Sequence, residues 1–135
     1  MKSTTNFVSV LEQVASTTKR LEKERYLAEC DETAQKLLKL ACDPFIVFGI
    51  TCNEDEALEN WEKTERLGAV TDWWEEFPAL CFELHTRVIT GHAALDEIDN
   101  VLSQANCEDD VTWAARILNK DLRAGISSST INKVF

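Results

Sequence analysis

A chain of 135 residues with 44% hydrophobic and 28% charged residues has the size and balance of one globular domain able to bury a core of its own. No apolar run approaches the ~18 residues a bilayer span needs, and Glu12 and Gln13 interrupt what would be the apolar part of a secretory signal, so a cytoplasmic protein without a membrane partner is expected. A net charge of −10 is the strongest single argument against nucleic-acid binding, because neutralising phosphates takes clustered Lys and Arg.

Helical periodicity runs through the chain and strand-like alternation is nearly absent. The predicted fold class is therefore all α, a single compact multi-helix domain of about seven helices with short connections. Phe7, Val10, Leu11 and Val14 mark one face of a first helix ending near Ala15. Ser16, Thr17 or Thr18 can cap a second, with Leu21 and Leu27 expected inward. Asp31 or Thr33 caps a third, which turns Ala34, Leu37, Leu38 and Ala41 to the core and stops at Asp43-Pro44, since the residue before proline is pushed out of the helical region. Residues 45–50 read as a buried turn or short helix, and residues 53–66 as a solvated helix or loop anchored by Leu58 and Trp61. A helix starting at Thr71 or Asp72 carries Trp73, Trp74, Phe77, Leu80, Cys81, Leu84 and Val88, and Pro78 predicts a kink or restart within it. Thr90-Gly91-His92 separates it from a helix with Ala93, Ala94, Leu95, Ile98, Val101 and Leu102. The next is capped within residues 106–110, carries Val111, Trp113, Ala114, Ile117 and Leu118, and is expected to stop at Gly125; a last turn runs from Ser127 through Ile131 and Val134.

Charge is unevenly placed. Residues 54–76 hold nine carboxylates against Lys63 and Arg66, whereas residues 113–135 hold Arg116, Lys120, Arg123 and Lys133 against Asp121 alone. A second basic group, Lys19, Arg20, Lys23 and Arg25, is interleaved with Glu22 and Glu24. An acidic total therefore leaves room for a basic face. The five cysteines are odd in number and never spaced Cys-x-x-Cys, which points to reduced, mostly buried thiols; Cys81 and His85, four apart, are the one pair at metal-ligand spacing, with no further ligands in view.

Catalysis has little to stand on: two histidines without a nucleophile partner, no Glu-x-x-His pair, and no phosphate-cradling glycine loop among Gly49, Gly68, Gly91 and Gly125. The C-terminal run from Arg116 to Val134 has its own logic. A helix ending at a glycine followed by one opening at serines offers unpaired N–H groups to an anion, with Lys120, Arg123 and Lys133 around it and hydroxyls from Ser127, Ser128 and Thr130. A glycine-terminated helix followed by a serine cap, with no ligand at all, fits the same pattern.

That run, RILNKDLRAGISSSTINKVF, resembles the segment that closes the N-terminal domain of ATP-dependent DNA ligases of the tailed-phage, T-even type. Three further stretches resemble the same family in order: Ser16 to Glu24, Asp43 to Ile50, and Thr86 to Ala94, where His92 takes the place of the family's asparagine. The resemblance implies the DNA-gripping part of a longer ligase, with the nucleotidyltransferase domain and its Lys-x-Asp-Gly motif outside this chain. It also implies duplex DNA, nicked for sealing, as partner, held across the minor groove without sequence readout, and the ligase's own catalytic domain as a partner in cis to a monomer. ATP and a divalent metal such as Mg are implied for the full ligase, and no cofactor for this domain. The DNA-contacting residues it implies are Thr18, Lys19, Arg20, Lys23, Thr90, Gly91, His92, Lys120, Arg123, Gly125, Ser127, Ser128, Thr130, Asn132 and Lys133. An acidic helical module that docks a protein through residues 54–77 is the alternative, and a small helical enzyme a weaker one.

Overall fold

The structure is a computed structural model that describes residues 5–64 and 73–134. The described residues form eight helices: α1 (Phe7–Ala15), α2 (Arg20–Leu27), α3 (Glu32–Cys42), α4 (Glu54–Lys63), α5 (Trp73–His85), α6 (Gly91–Ser103), α7 (Glu108–Leu118) and α8 (Ser128–Val134). Among the described residues there is no strand, and no helix is long and apolar enough to cross a membrane. The fold class is all α in one compact domain, as the periodicity predicts.

Helix α7 occupies the centre, against α1, α3, α4 and α6, because Val111, Ala114, Ala115, Ile117 and Leu118 bury most of its circumference. Phe7, Trp74 and Trp113 meet edge to face in the core, with centroids 5.1 and 6.4 Å from Phe7. The indole N–H groups of the enclosed tryptophans find acceptors: Trp74 on Asp110 Oδ1 at 2.8 Å, Trp73 on Val101 O at 3.0 Å, and Trp61 on Ala105 O at 2.7 Å. These rings are committed to packing, as their spacing with aliphatic residues indicates.

Caps set the ends. Asp31 Oδ1 accepts the Ala34 N–H at 2.8 Å and its Oδ2 accepts the Asn6 N–H at 2.8 Å, so one carboxylate starts α3 and ties it to α1. Asn53 caps α4 by accepting the Glu56 N–H. Helices α5 and α7 close with the same six-to-one and five-to-two hydrogen bonds, Val88 N to Glu83 O with Arg87 N to Leu84 O, and Asp121 N to Arg116 O with Lys120 N to Ile117 O. The left-handed residue in each is not glycine but Arg87 (φ 63°) or Lys120 (φ 60°).

Four expectations are corrected. Leu21 is 77% exposed, since six residues separate it from Leu27 and turn it about 240° round the helix, away from the face that Leu27 buries. Helix α5 does not restart at Pro78 but runs on through it, because Trp73, Trp74 and Phe77 on one side of it and Leu80, Cys81 and Leu84 on the other share one core that outweighs the lost N–H. Val88 lies past the end of that helix and is 68% exposed. Helix α7 stops at Leu118, at the Lys120 turn, rather than at Gly125, which sits in the loop between α7 and α8. The expected start of α5 at Thr71 or Asp72 lies outside the described residues.

Candidate functional site

The loop of residues 119–127 is built by three left-handed residues, Lys120, Arg123 (φ 55°) and Gly125 (φ 67°). It lies against α2: Lys23 Nζ donates to Ala124 O at 2.9 Å and to Gly125 O at 3.4 Å. Position 125 favours glycine for its φ, and a β-carbon there would push the Lys23 ammonium aside. Helix α8 packs on α2 and α3, and Lys133 Nζ reaches Glu24 Oε1 at 3.2 Å. The two basic segments, about a hundred residues apart in the chain, thus share one face.

On that face Thr18 and Lys19 are exposed just before α2, and Arg20 Nε stands 3.5 Å from Glu24 Oε1. Glu24 is therefore flanked by two cations, Arg20 and Lys133, and its Oε1 is fully buried without a hydrogen-bond partner, held by charge alone. Glu54 plays the same part at the other side, 3.3 Å from Arg116 Nε and 3.4 Å from Arg123 Nη2. Arg20, Arg123 and Lys133 remain 55–74% exposed at their side chains, so an incoming anion can reach each of them without rearranging the fold. Ser127 Oγ lies 2.9 Å from Ser129 Oγ and 3.4 Å from Thr130 Oγ1, a small hydroxyl cluster at the start of α8. Asn132 is exposed beside it, and Ser128 half-buried.

Lys120 is directed elsewhere. Its Nζ donates to Leu40 O at 2.5 Å and Asp43 O at 2.8 Å and lies 5.5 Å from the Phe48 ring centroid. It holds the last turn of α3 to α7, and burial lowers its pKa from the ordinary lysine value. Thr90, Gly91 and His92 are exposed at the start of α6, with Gly91 at φ 60°; among the described residues no hydrogen bond or ion pair joins them to the Lys23, Arg123 and Lys133 group. Lys39 is the residue missed in reading the sequence. It shares a groove of about 340 Å³ with Pro44, Phe45, Ser128 and Asn132, and a second groove of about 410 Å³ continues past Pro44 to Arg123 and Ser127. The signal was present in Lys36 and Lys39, three apart on the outer side of α3, but nothing local says that α8 comes to lie beside them.

His85 Nδ1 accepts the Val47 N–H at 3.4 Å, and burial pushes the Cys81 thiol up to about 12, so each of the pair at metal-ligand spacing has a structural setting of its own. Burial likewise raises Cys30 to about 12 and Cys52 to about 11.

No protein-family model and no curated protein matches this chain. Among solved structures, the chains named "Pmar-Lig_Pre." and "Pmar-Lig_PreS3" match it with TM-scores of 0.78 and 0.77, both at 30% identity and over 94% of its length. This chain spans 28% of the length of each. Its similarity is thus to one part of larger, ligase-named chains.

Proposed function

We propose that this chain is the duplex-gripping, non-catalytic domain of an ATP-dependent DNA ligase of the tailed-phage type, which holds a nicked duplex across the minor groove for a catalytic domain in cis. The observation that carries the reading is the convergence of Lys19, Arg20 and Lys23 with Arg123 and Lys133 on one face of a chain whose total charge is −10. The likeness to ligase-named chains over 94% of its length supports it. Phosphates would replace Glu24 and Glu54 as the partners of Arg20, Lys133 and Arg123, and hydroxyls of Ser127 and Thr130 would add hydrogen bonds. Such contacts carry no base information, which suits an enzyme that must seal any sequence. The chain contains no Lys-x-Asp-Gly; ATP, the divalent metal and the adenylated lysine belong in this reading to the catalytic domain.

About four phosphate contacts would give a slope of log affinity against log salt near −4. The test is a titration of two unrelated nicked duplexes at several salt concentrations, with Arg123→Ala and Lys133→Ala beside the parent chain. Each variant should fold as before, weaken binding equally on both sequences, and flatten the slope by roughly one. Parent binding that ignores salt would overturn the reading in favour of an acidic protein-docking module centred on α4, and unchanged affinity in both variants would remove the assigned face.

A further inference from the structure

Just past α3 the chain makes a turn whose framework is fixed from several sides. The Phe45 N–H donates to Asp43 Oδ1 at 2.9 Å, the Ile46 N–H to Asp43 O at 3.2 Å, and Lys120 Nζ to that same carbonyl at 2.8 Å. Phe48, three residues on, is buried and anchors the far side. What this braced turn presents to solvent is the ring of Phe45, 88% exposed, the largest exposure among the described large hydrophobic residues. An unsupported apolar ring at the tip of a rigid turn gains nothing for the fold, since it leaves its transfer free energy unused.

The surroundings say what would cover it. Phe45 and Pro44 line the 340 Å³ groove together with Lys39, Ser128, Asn132 and Asp43, whose Oδ1 is taken up by the Phe45 N–H, and Pro44 also borders the groove that leads to Arg123. An apolar peptide would have to bury Lys39 and Asn132 without partners, which is costly. A nucleic acid satisfies both halves at once: phosphates for the lysine and the hydrogen-bond donors, and the faces of sugars and bases for the ring. Proteins that sit in the minor groove use Phe and Pro as apolar wedges against the base steps, with cations on the flanking phosphates.

Resting on the DNA-binding reading above, we propose that Phe45 is an apolar contact residue of this face, entering the minor groove and packing its ring on a sugar and base step, with Pro44 behind it and Lys39 on the adjoining phosphate. This extends the binding footprint from α2 and α8 onto the end of α3.

The experiment compares the 135-residue parent with Phe45→Ala, Lys39→Ala and Arg123→Ala on nicked duplexes carrying 2-aminopurine at successive positions on either side of the nick. Phe45→Ala should lower affinity roughly 5- to 100-fold while leaving the salt slope unchanged, because a stacking contact releases no counterion. Lys39→Ala should lower affinity and flatten the slope by about one. The parent should brighten 2-aminopurine at one or two positions, and Phe45→Ala should not. Parent-like affinity and fluorescence in Phe45→Ala, with Arg123→Ala still impaired, would overturn this proposal and leave the DNA-binding reading standing. Salt-independent binding by the parent itself would overturn both.

Discussion

Asp110 shows how one side chain can couple core packing to pH. It sits in the first turn of α7, almost fully buried, and accepts the Trp74 indole N–H at 2.8 Å. Burial raises its pKa above the ordinary 3.8, and the hydrogen bonds from Trp74 and Cys107 pull the other way without cancelling it. A carboxyl whose folded pKa exceeds its unfolded one binds its proton more tightly in the native state. Its contribution to stability is therefore full below the unfolded value and is lost as pH rises through the folded one. Asp110→Asn keeps a carbonyl for Trp74 and cannot titrate, so the stability of the variant relative to the parent should improve as pH rises from the ordinary aspartate value through the raised folded one, and then level off. Urea midpoints of both proteins across that range check this, and a difference that shrinks with rising pH would contradict it.

At the level of whole elements, the end of α7 is where structure and candidate function meet. Lys120 takes the left-handed position of the turn, a conformation costing a non-glycine residue roughly 1 kcal/mol or more, yet the same geometry carries its ammonium to Leu40 O and Asp43 O at the end of α3. The ammonium thereby supplies a donor to Leu40 O in the last turn of α3 and a second donor to Asp43 O, which also accepts the Ile46 N–H. Lys120→Met should keep the stem's packing but leave Leu40 O without this donor and Asp43 O with the Ile46 N–H alone, and a loss of about 1–3 kcal/mol is expected. With its ammonium engaged by Leu40 O and Asp43 O, although the residue borders the groove that leads to Arg123 and Ser127, the same variant should bind DNA with the parent's salt slope. A flattened slope would return Lys120 to the phosphate contacts that the resemblance implies.

Across the molecule acidic and basic groups adjoin: the first turn of α4, with Glu54, Asp55 and Glu56, lies beside the loop between α7 and α8, where Glu54 pairs with Arg123, and the cations of α2 and α8 lie around Glu24. Glu24 and Glu54, each between two cations, hold that basic face together in the absence of a ligand. Self-repulsion at a net charge of −10 should dominate these few partly exposed pairs. Raising NaCl from about 20 to about 200 mM should then raise the melting temperature of the free chain, while the same change weakens DNA binding. Thermal melts and titrations in the same buffers test the pair of trends. A melting temperature that falls with salt would mean that the Glu24 and Glu54 pairs outweigh the repulsion.

What the amino-acid sequence determines by itself is the set of properties governed by near neighbours. Asp31 caps α3 and Asp43-Pro44 ends it because capping and the restriction before proline act over a few residues. The inward faces of α1, α3 and α7 follow from helical spacing, and the exclusion of a glycine-loop phosphate site needs no structure. An inward Leu21 and a restart at Pro78 are the local readings that a helix's orientation and tertiary packing override. The site divides in the same way. Its residue types were legible in the run ending at Lys133, but three matters were settled only by how helices meet: that α2 brings Lys23 onto Gly125, that Lys120 turns inward to α3, and that Lys39 and Phe45 flank α8. Each depends on contacts between residues roughly 80 to 100 positions apart, and no local propensity carries information over that separation.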